Sequence, residues 1–318
     1  MVSGKERYGI VWKLQKDQHL HMPSRHILIV NSRKVTRPVF VIGAPHSGAE
    51  AVGRALKISP GFHVTSGQRN VLEAVYAFAR KPSLYHGREA ASASVLRDTF
   101  SQGWQITSTS CLQCTPQCRS AAGLRESDVG PCAEERGLSR FGDASPDLAY
   151  CAEALIDAFP DAQIVQVVRD GRDTVAGMLA DPLAMYWFRP GIANIDDEFP
   201  NPFYGIEDEA DRFTWTGLSI AGKCALRWRG AIRLAARLRA QLNESQLKTL
   251  RYEDMIFDPR GAAAALSEFT GATVAAPVSR RHREVKSQAG SWRHMLSASD
   301  ASDVEKIAGD ELRRLGYA

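Results

Sequence analysis

Apolar and polar positions along the chain repeat one unit: a short apolar run, a turn rich in glycine or charge, then a longer stretch with helical spacing. Val39-Phe40-Val41-Ile42 is the first clear run, and its lack of alternation marks a strand buried on both faces. A glycine loop and an Ala-rich helical stretch to Leu56 follow it. "GFHVTSG", after the turn Ser59-Pro60-Gly61, predicts a second strand. Val71, Val75 and Phe78 place a helix in "NVLEAVYAFARK". Ile164, Val165, Val167 and Val168, broken only by Gln166, predict a buried strand between two helices. Downstream, "LSIAGKCALRWRGAIRLAARLRAQL" reads as a long Arg-rich helix, and "LKTLRYEDMIFDP" as a strand and turn. "RGAAAALSEFTG" reads as a helix closed by Gly271, and "DASDVEKIAGDELRRLGYA" as a last helix. Residues 1–36 form an extension whose "RHILIV" is strand-like. Strands alternating with helices predict an α/β fold of three layers, α/β/α, with a central parallel sheet over 37–318. Ligands of such sheets bind beyond the carboxyl ends of the strands, where the turns after Ile42 and Val168 lie.

Two segments interrupt the rhythm. Residues 101–140 carry Cys111, Cys114, Cys118 and Cys132. Four thiolates in one short segment suit a tetrahedral structural zinc; free thiols or disulfides are the alternatives. Cys151 and Cys224 stand apart, as small core residues do. Residues 185–215 are aromatic and acidic with little periodicity, which predicts a lid over a sizeable, partly apolar substrate, with Tyr186, Trp187 and Phe188 in contact with it. A self-packed surface loop is the competing reading.

Composition changes little in this picture. The chain has 318 residues, 44% hydrophobic and 24% charged, so a large core is attainable. A net charge of +4 is too small to imply a nucleic-acid partner. No apolar run approaches the roughly 18 residues of a membrane span. Met1 to Lys16 lacks an apolar signal core, which points to a cytoplasmic protein.

The loop between the first strand and its helix holds the candidate chemistry. Gly43 and Gly48 have the G-x-x-x-x-G spacing of a phosphate loop, which makes the fold P-loop-like. The Lys and Ser/Thr of that motif are replaced by Ala49 and Glu50, which argues against a kinase. A strand–loop–helix unit still presents backbone N–H groups and a positive helix end to an anion. Arg169 and Arg172 in "RDGRD" sit at the next strand end and suit an anion, or pair with their own aspartates.

Four blocks, "PVFVIGAPHSGAEAVGRAL", "FPDAQIVQVVRDGRDTVAGML", "LRYEDMIFDPRGAAAALSEFTG" and "GSWRHMLSASDASDVEKIAGDELRRLGY", together resemble the bacterial and cytosolic sulfotransferases, in that family's order. The resemblance implies transfer of a sulfuryl group from 3′-phosphoadenosine 5′-phosphosulfate (PAPS) to a small-molecule acceptor such as a natural product. It implies that Gly43, Pro45, Ser47 and Gly48 line the 5′-phosphosulfate and that Arg169 binds the 3′-phosphate. It places Tyr252 beside the adenine, and Arg293, Trp292 and Lys286 near the nucleotide.

The departures from the family pattern share a direction. His46 replaces Arg or Lys, Ala49 and Glu50 replace hydroxyl residues, Gly177 replaces a serine, Ala144 stands in a block that often carries Lys, and Gln68 replaces an acid. A carboxylate about 4 Å from a phosphate oxygen repels it by roughly 4 kcal/mol at an effective dielectric near 20. The pattern therefore points to atypical donor recognition, PAPS or an aryl sulfate. In the second case His46 serves as base or nucleophile, oriented by Glu50 four residues on; otherwise it only hydrogen-bonds the anion. His63, on the second strand, is a further candidate base. A protein that keeps the fold but only binds a ligand in the aromatic segment is the alternative of another class.

Overall fold

The computed structural model describes residues 27–86, 89–107, 109–125, 127–134, 136–277 and 289–317. A short antiparallel hairpin, β1 (Ile29–Val30) and β2 (Arg33–Lys34), precedes the sheet. It is tied to the main body by Asn31, which exchanges two hydrogen bonds with the Ile106 backbone. The apolar runs then become β3 (Val39–Ile42), β4 (Phe62–Thr65), β6 (Gln163–Val168) and β7 (Leu247–Arg251). A further strand, β5 (Arg140–Asp143), has the sequence RFGD, too short and polar to announce itself. The order is β4-β5-β3-β6-β7 with every pairing parallel.

Each strand of the centre feeds both faces. Val39 and Val41 join one core with Val52, Leu56, Met255 and Leu266. Phe40 and Ile42 join the larger core with Val71, Leu96, Leu155, Met178, Trp228 and Leu312. This is the period of two expected of a strand buried on both sides. The first face is covered by α1 (Ala49–Lys57), α10 (Tyr252–Phe257) and α11 (Pro259–Thr270). The second is covered by α2 (Arg69–Arg80), α3 (Glu89–Gly103), α5 (Ala152–Ala158), α6 (Gly171–Leu179), α9 (Ile220–Gln241) and the C-terminal helix Ala298–Arg314. A short helix, α4 (Pro116–Ala121), lies within the cysteine-bearing segment. The three-layer α/β/α fold is therefore as the alternation predicts. Among the described residues no helix is long and apolar enough to cross a membrane.

The polar residues inside β6 are not errors in the pattern. Gln163 donates to the carbonyls of Phe269 and Ser245, and Gln166 accepts from Thr249 at 3.0 Å. A buried amide is tolerated when its hydrogen bonds are made.

The aromatic segment 185–215 differs from a long irregular lid. It contains the end of α7 (Pro182–Tyr186) and α8 (Glu209–Thr214), and Phe203, Tyr204 and Trp215 are buried in the larger core. Phe188 stacks on Trp215 with ring centroids 6.0 Å apart. The apolar payload of these rings is spent on packing against α9, so the segment is a folded wall.

A buried ion pair links that wall to the sheet. Arg227 of α9, 1% exposed, donates to Asp147 at 2.7 Å, and its guanidinium lies 4.1 Å from the Phe203 ring. Removing one partner leaves the other charge buried and unpaired, at a cost of about 3–5 kcal/mol. Arg227→Ala should lose stability on that scale in urea unfolding. The double variant Arg227→Met/Asp147→Asn should recover much of it, because neither charge then remains.

Candidate active site

The turn after β3 is shaped by three backbone positions. A side chain at Gly43 would come 2.2 Å from the Ser47 Oγ and 2.8 Å from the Val167 carbonyl. His46 has φ +63° and Gly48 φ +95°, both left-handed. Histidine in that region is strained, a condition found where neighbouring structure holds a residue for use. Gly48 precedes α1 and caps it with no side chain, so no side chain fills the positive end of this helix. Ser47 is 1% exposed, and its Oγ has no hydrogen-bond partner. An uncapped helix start beside an orphan buried hydroxyl is a set of donors that could take an anion.

The side of this loop is closed by an aromatic and a cation. The Tyr252 ring fills the space a Gly48 side chain would need, with its edge 2.3 Å from where a Cβ would stand. The Arg169 guanidinium stacks 4.4 Å from that ring and donates to the His46 carbonyl at 3.1 Å. Beyond them Trp292 is held between Arg172 (4.3 Å) and Arg293 (4.8 Å), and its Nε1 has no partner. Asp173, at the start of α6, fixes this block by accepting from the Gly290 and Trp292 N–H groups at 2.7 and 2.8 Å and from Ser291 Oγ at 3.2 Å. Arg172 is committed to Asp170, Glu305 and the Tyr317 carbonyl, so it braces the C-terminus. Lys286 lies outside the described residues.

The expected pairing of His46 with Glu50 does not form. Glu50 accepts from Arg54 at 3.1 Å on the outer face of α1, and its side chain is 58% exposed. Glu50 is the second residue of α1 and its side chain leaves on the outer face; His46 turns instead toward the end of α6. There its Nε2 lies 3.0 Å from Asp181 Oδ2. Asp181 is itself fixed, since its Oδ1 accepts the Leu183 N–H at 2.8 Å and so caps α7. Gly177 makes room: a side chain there would come within 2.8 Å of the His46 Cβ.

Behind this pair lies a polar network that the motifs do not mark. Asp147 is buried against Arg227 and hydrogen-bonds the Tyr76 hydroxyl. Burial pushes the Asp147 carboxyl above its ordinary range, with Arg227 pulling the other way and His46 close enough to be felt. Tyr76 also packs on Trp187 at 4.7 Å, which brings Trp187, alone of the three aromatics at 186–188, to the edge of this network. Tyr186 is exposed and Phe188 faces Trp215. Asp181, Asp147, Tyr76 and Arg227 come from four separate segments, which no local spacing in the sequence connects.

His63 is elsewhere. It is 3% exposed, its ring meets the edge of Phe141, and neither nitrogen has a partner. Its charged neighbours are Lys57 and Cys111 rather than the loop at 43–48, so it is no base for that site. The four cysteines gather beside it, but among the described residues no group of three or more His, Cys, Asp or Glu is arranged to hold a metal ion. The expectation of structural zinc is not met, and the physical reason is visible. The Lys57 ammonium stands 3.5 Å from Cys132 Sγ and also hydrogen-bonds Cys118, so a cation already serves these sulfurs.

Residues 38–193 match the model of the sulfotransferase family. Over these residues the chain is a member of the sulfotransferase family. The matched residues of this sulfotransferase run from the strand before the anion loop through α6 and α7 to the start of the aromatic wall. Solved structures similar to it include a sulfotransferase domain from the Synechococcus PCC 7002 olefin synthase (13% identity, TM-score 0.45, covering 88% of this chain and 98% of that one). Another is a sulfotransferase of Mycobacterium tuberculosis H37Rv (18% identity, TM-score 0.44, 86% and 76%). A third is a sulfotransferase domain from the curacin biosynthetic pathway (13%, 0.44, 89% and 99%). No curated protein matches the chain.

Burial gives two opposing acid–base terms. Desolvation, with Lys57 adding to it, lowers the His63 pKa from 6.5 to about 4. The unfolded chain therefore binds the extra proton first, and stability falls as pH drops from 6.5 to 4. The full window amounts to about 3 kcal/mol. Asp143 is pushed up by burial from 3.8 to about 7, so its contribution is present below 3.8 and lost as pH rises toward 7. His63→Leu should flatten the loss of stability between pH 6.5 and 4 while leaving the Asp143 term. Chemical denaturation of both proteins across that range gives the difference directly.

Proposed function

We propose that this sulfotransferase uses PAPS and transfers its sulfuryl group to a hydroxyl of a small, partly apolar molecule, with His46 taking the acceptor proton. The observation that carries the proposal is the meeting of two things at the end of β3. One is an anion-ready loop with an uncapped helix and an orphan Ser47 hydroxyl; the other is a histidine held by a carboxylate at 3.0 Å. Residues fit for the donor are at hand. Ser47 and the backbone of 43–49 would hold the phosphosulfate. Arg169, Tyr252, Trp292 and Arg293 offer the cations and flat surfaces that a nucleotide with a further phosphate requires. The electrostatic objection raised by Glu50 loses its force, because that carboxylate is outward and paired.

A carboxylate only accepts, so Asp181 selects the tautomer with the proton on His46 Nε2 and leaves the lone pair on Nδ1. Nδ1 would then remove the proton as the acceptor oxygen attacks sulfur, while the bond from sulfur to the bridging 5′-phosphate oxygen breaks and the adenosine bisphosphate leaves. Asp181 stabilises the imidazolium that results. Trp187 and Tyr76 border the space where an aromatic or aliphatic acceptor would lie.

The same pair also favours a second reading. With an aryl sulfate as donor, Nδ1 attacks sulfur, the S–O bond of the ester breaks and phenolate leaves; the acceptor then takes the sulfuryl group from histidine.

Sulfuryl transfer to a panel of phenols and alcohols, with PAPS and p-nitrophenyl sulfate compared, separates the readings. Transfer from PAPS is expected, with kcat lower by roughly 100- to 1000-fold in His46→Ala. Asp181→Asn should lower kcat about tenfold with KM for PAPS little changed, and Glu50→Ala should change neither by more than about twofold. Transfer from the aryl sulfate alone, with a burst of phenolate, would establish the second reading. Ligand binding in the absence of turnover from either donor would leave a binding protein.

A further inference from the structure

The second cluster of reactive groups lies on the other side of α1. Cys111 and Cys118 are buried at 2% and 3%, while Cys114 and Cys132 are half-buried. They are not merely near in sequence. The Cys132 N–H donates to Cys111 Sγ at 2.9 Å. Hydrogen bonds join Cys111 to both Cys114 and Cys132, and Cys114 to Cys118. The Lys57 ammonium, fixed by the Val64 carbonyl at 2.9 Å, lies against Cys132 and Cys118. The Ser66 N–H supports Cys118.

The Lys57 ammonium and the Cys132 and Ser66 N–H groups stabilise negative charge on sulfur. A chain of thiols around a buried ammonium is the environment in which thiolate forms, and thiolate is the species that peroxides oxidise. A second sulfur within hydrogen-bond reach is what turns that oxidation into a disulfide.

We propose that this cluster is a reversible thiol oxidation site, in which a peroxide converts Cys111 and Cys132 into a disulfide. Cys111 is the attacking sulfur, because the Cys132 N–H donates to it at 2.9 Å and the Cys114 and Cys132 sulfurs adjoin it. Its thiolate attacks a peroxide oxygen and the O–O bond breaks. With hydrogen peroxide the departing hydroxide takes the thiol proton and leaves as water, and Cys111 becomes a sulfenic acid. Cys132 then attacks the sulfenic sulfur, the S–O bond breaks, and a second water leaves with the Cys132 proton. Two thiols have given two electrons and two protons to one peroxide. The half-buried Cys132 and Cys114 leave the side by which so small an oxidant enters. The new bond would close the segment between Cys111 and Cys132 on itself. That segment leans on the turn after β4 through Thr115, whose hydroxyl donates to the Ser66 carbonyl at 3.3 Å. The proposal is independent of which sulfuryl donor is used.

The test is titration of the reduced protein with hydrogen peroxide, followed by intact mass and by mapping of proteolytic peptides. The expected product is lighter by two hydrogens, links Cys111 to Cys132 on fragmentation, and reverts with a thiol reductant. Cys132→Ser should lose the mass change, and Lys57→Met should slow it about fivefold. Metal analysis of the protein as purified is the companion measurement. One bound zinc per chain whose removal alone exposes the thiols would overturn the proposal. So would stepwise addition of oxygen atoms with no linked peptide, or an unchanged product in Cys132→Ser.

Discussion

The buried pair of Arg227 and Asp147 is the contact on which the candidate site depends most. Arg227 comes from the middle of the longest of the described helices, and Asp147 from the turn after β5; each would be prohibitively costly in the interior alone. Their meeting fixes how α9 lies over the sheet. It also fixes Tyr150, whose hydroxyl donates to the Arg227 carbonyl, and Phe203, which covers the guanidinium. Through Asp147 the pair holds the Tyr76 hydroxyl, and Tyr76 sets Trp187. The wall opposite the anion loop is thus positioned by one charge pair rather than by the loop sequence.

The loop itself depends on a different constraint, the lack of space. Gly43, Gly48 and Gly177 are needed because Ser47, Tyr252 and His46 occupy the volume where their side chains would stand. Close packing at all three points leaves His46 with a left-handed backbone and one direction for its ring, toward Asp181. A histidine held by backbone strain on one side and a helix-capping carboxylate on the other has little freedom to lose on meeting a substrate.

Legibility follows the range of the interactions. The strand β3, the glycine loop and α1 are adjacent in sequence and readable as a unit, as are Gly271 at the end of α11 and the buried run of β6. "RYED" reads as a turn but begins α10, because Glu253 and Asp254 sit in the first turn of a helix, where acids are favoured. β5 is invisible in the sequence: Gly142 and Asp143 carry no strand signal, and only pairing with β3 and β4 makes RFGD a strand. The partner of His46 cannot be read for the same reason. Spacing by four points to Glu50, and that rule describes neighbours on a helix surface. His46 lies before the helix, where the rule does not apply, and its carboxylate comes from 135 positions away.

The same distinction explains how a loop of this shape carries an acid two residues past its last glycine. Repulsion between a carboxylate and a bound anion matters when the two share a dry site, and it fades over a Debye length when one of them is in water beside a cation. Glu50 is in the second condition, 3.1 Å from Arg54 and largely exposed. The donors left in the loop are the α1 backbone and the Ser47 hydroxyl, neither of which relies on a formal side-chain charge. Arg169 supplies the nearest full positive charge, and it is anchored to the His46 carbonyl and the Tyr252 face before any ligand arrives. Histidine at position 46, in place of the Arg or Lys that the family resemblance leads one to expect, gives up one mobile cation. What replaces it is an imidazole oriented by Asp181, a group able to move a proton as well as contact an anion.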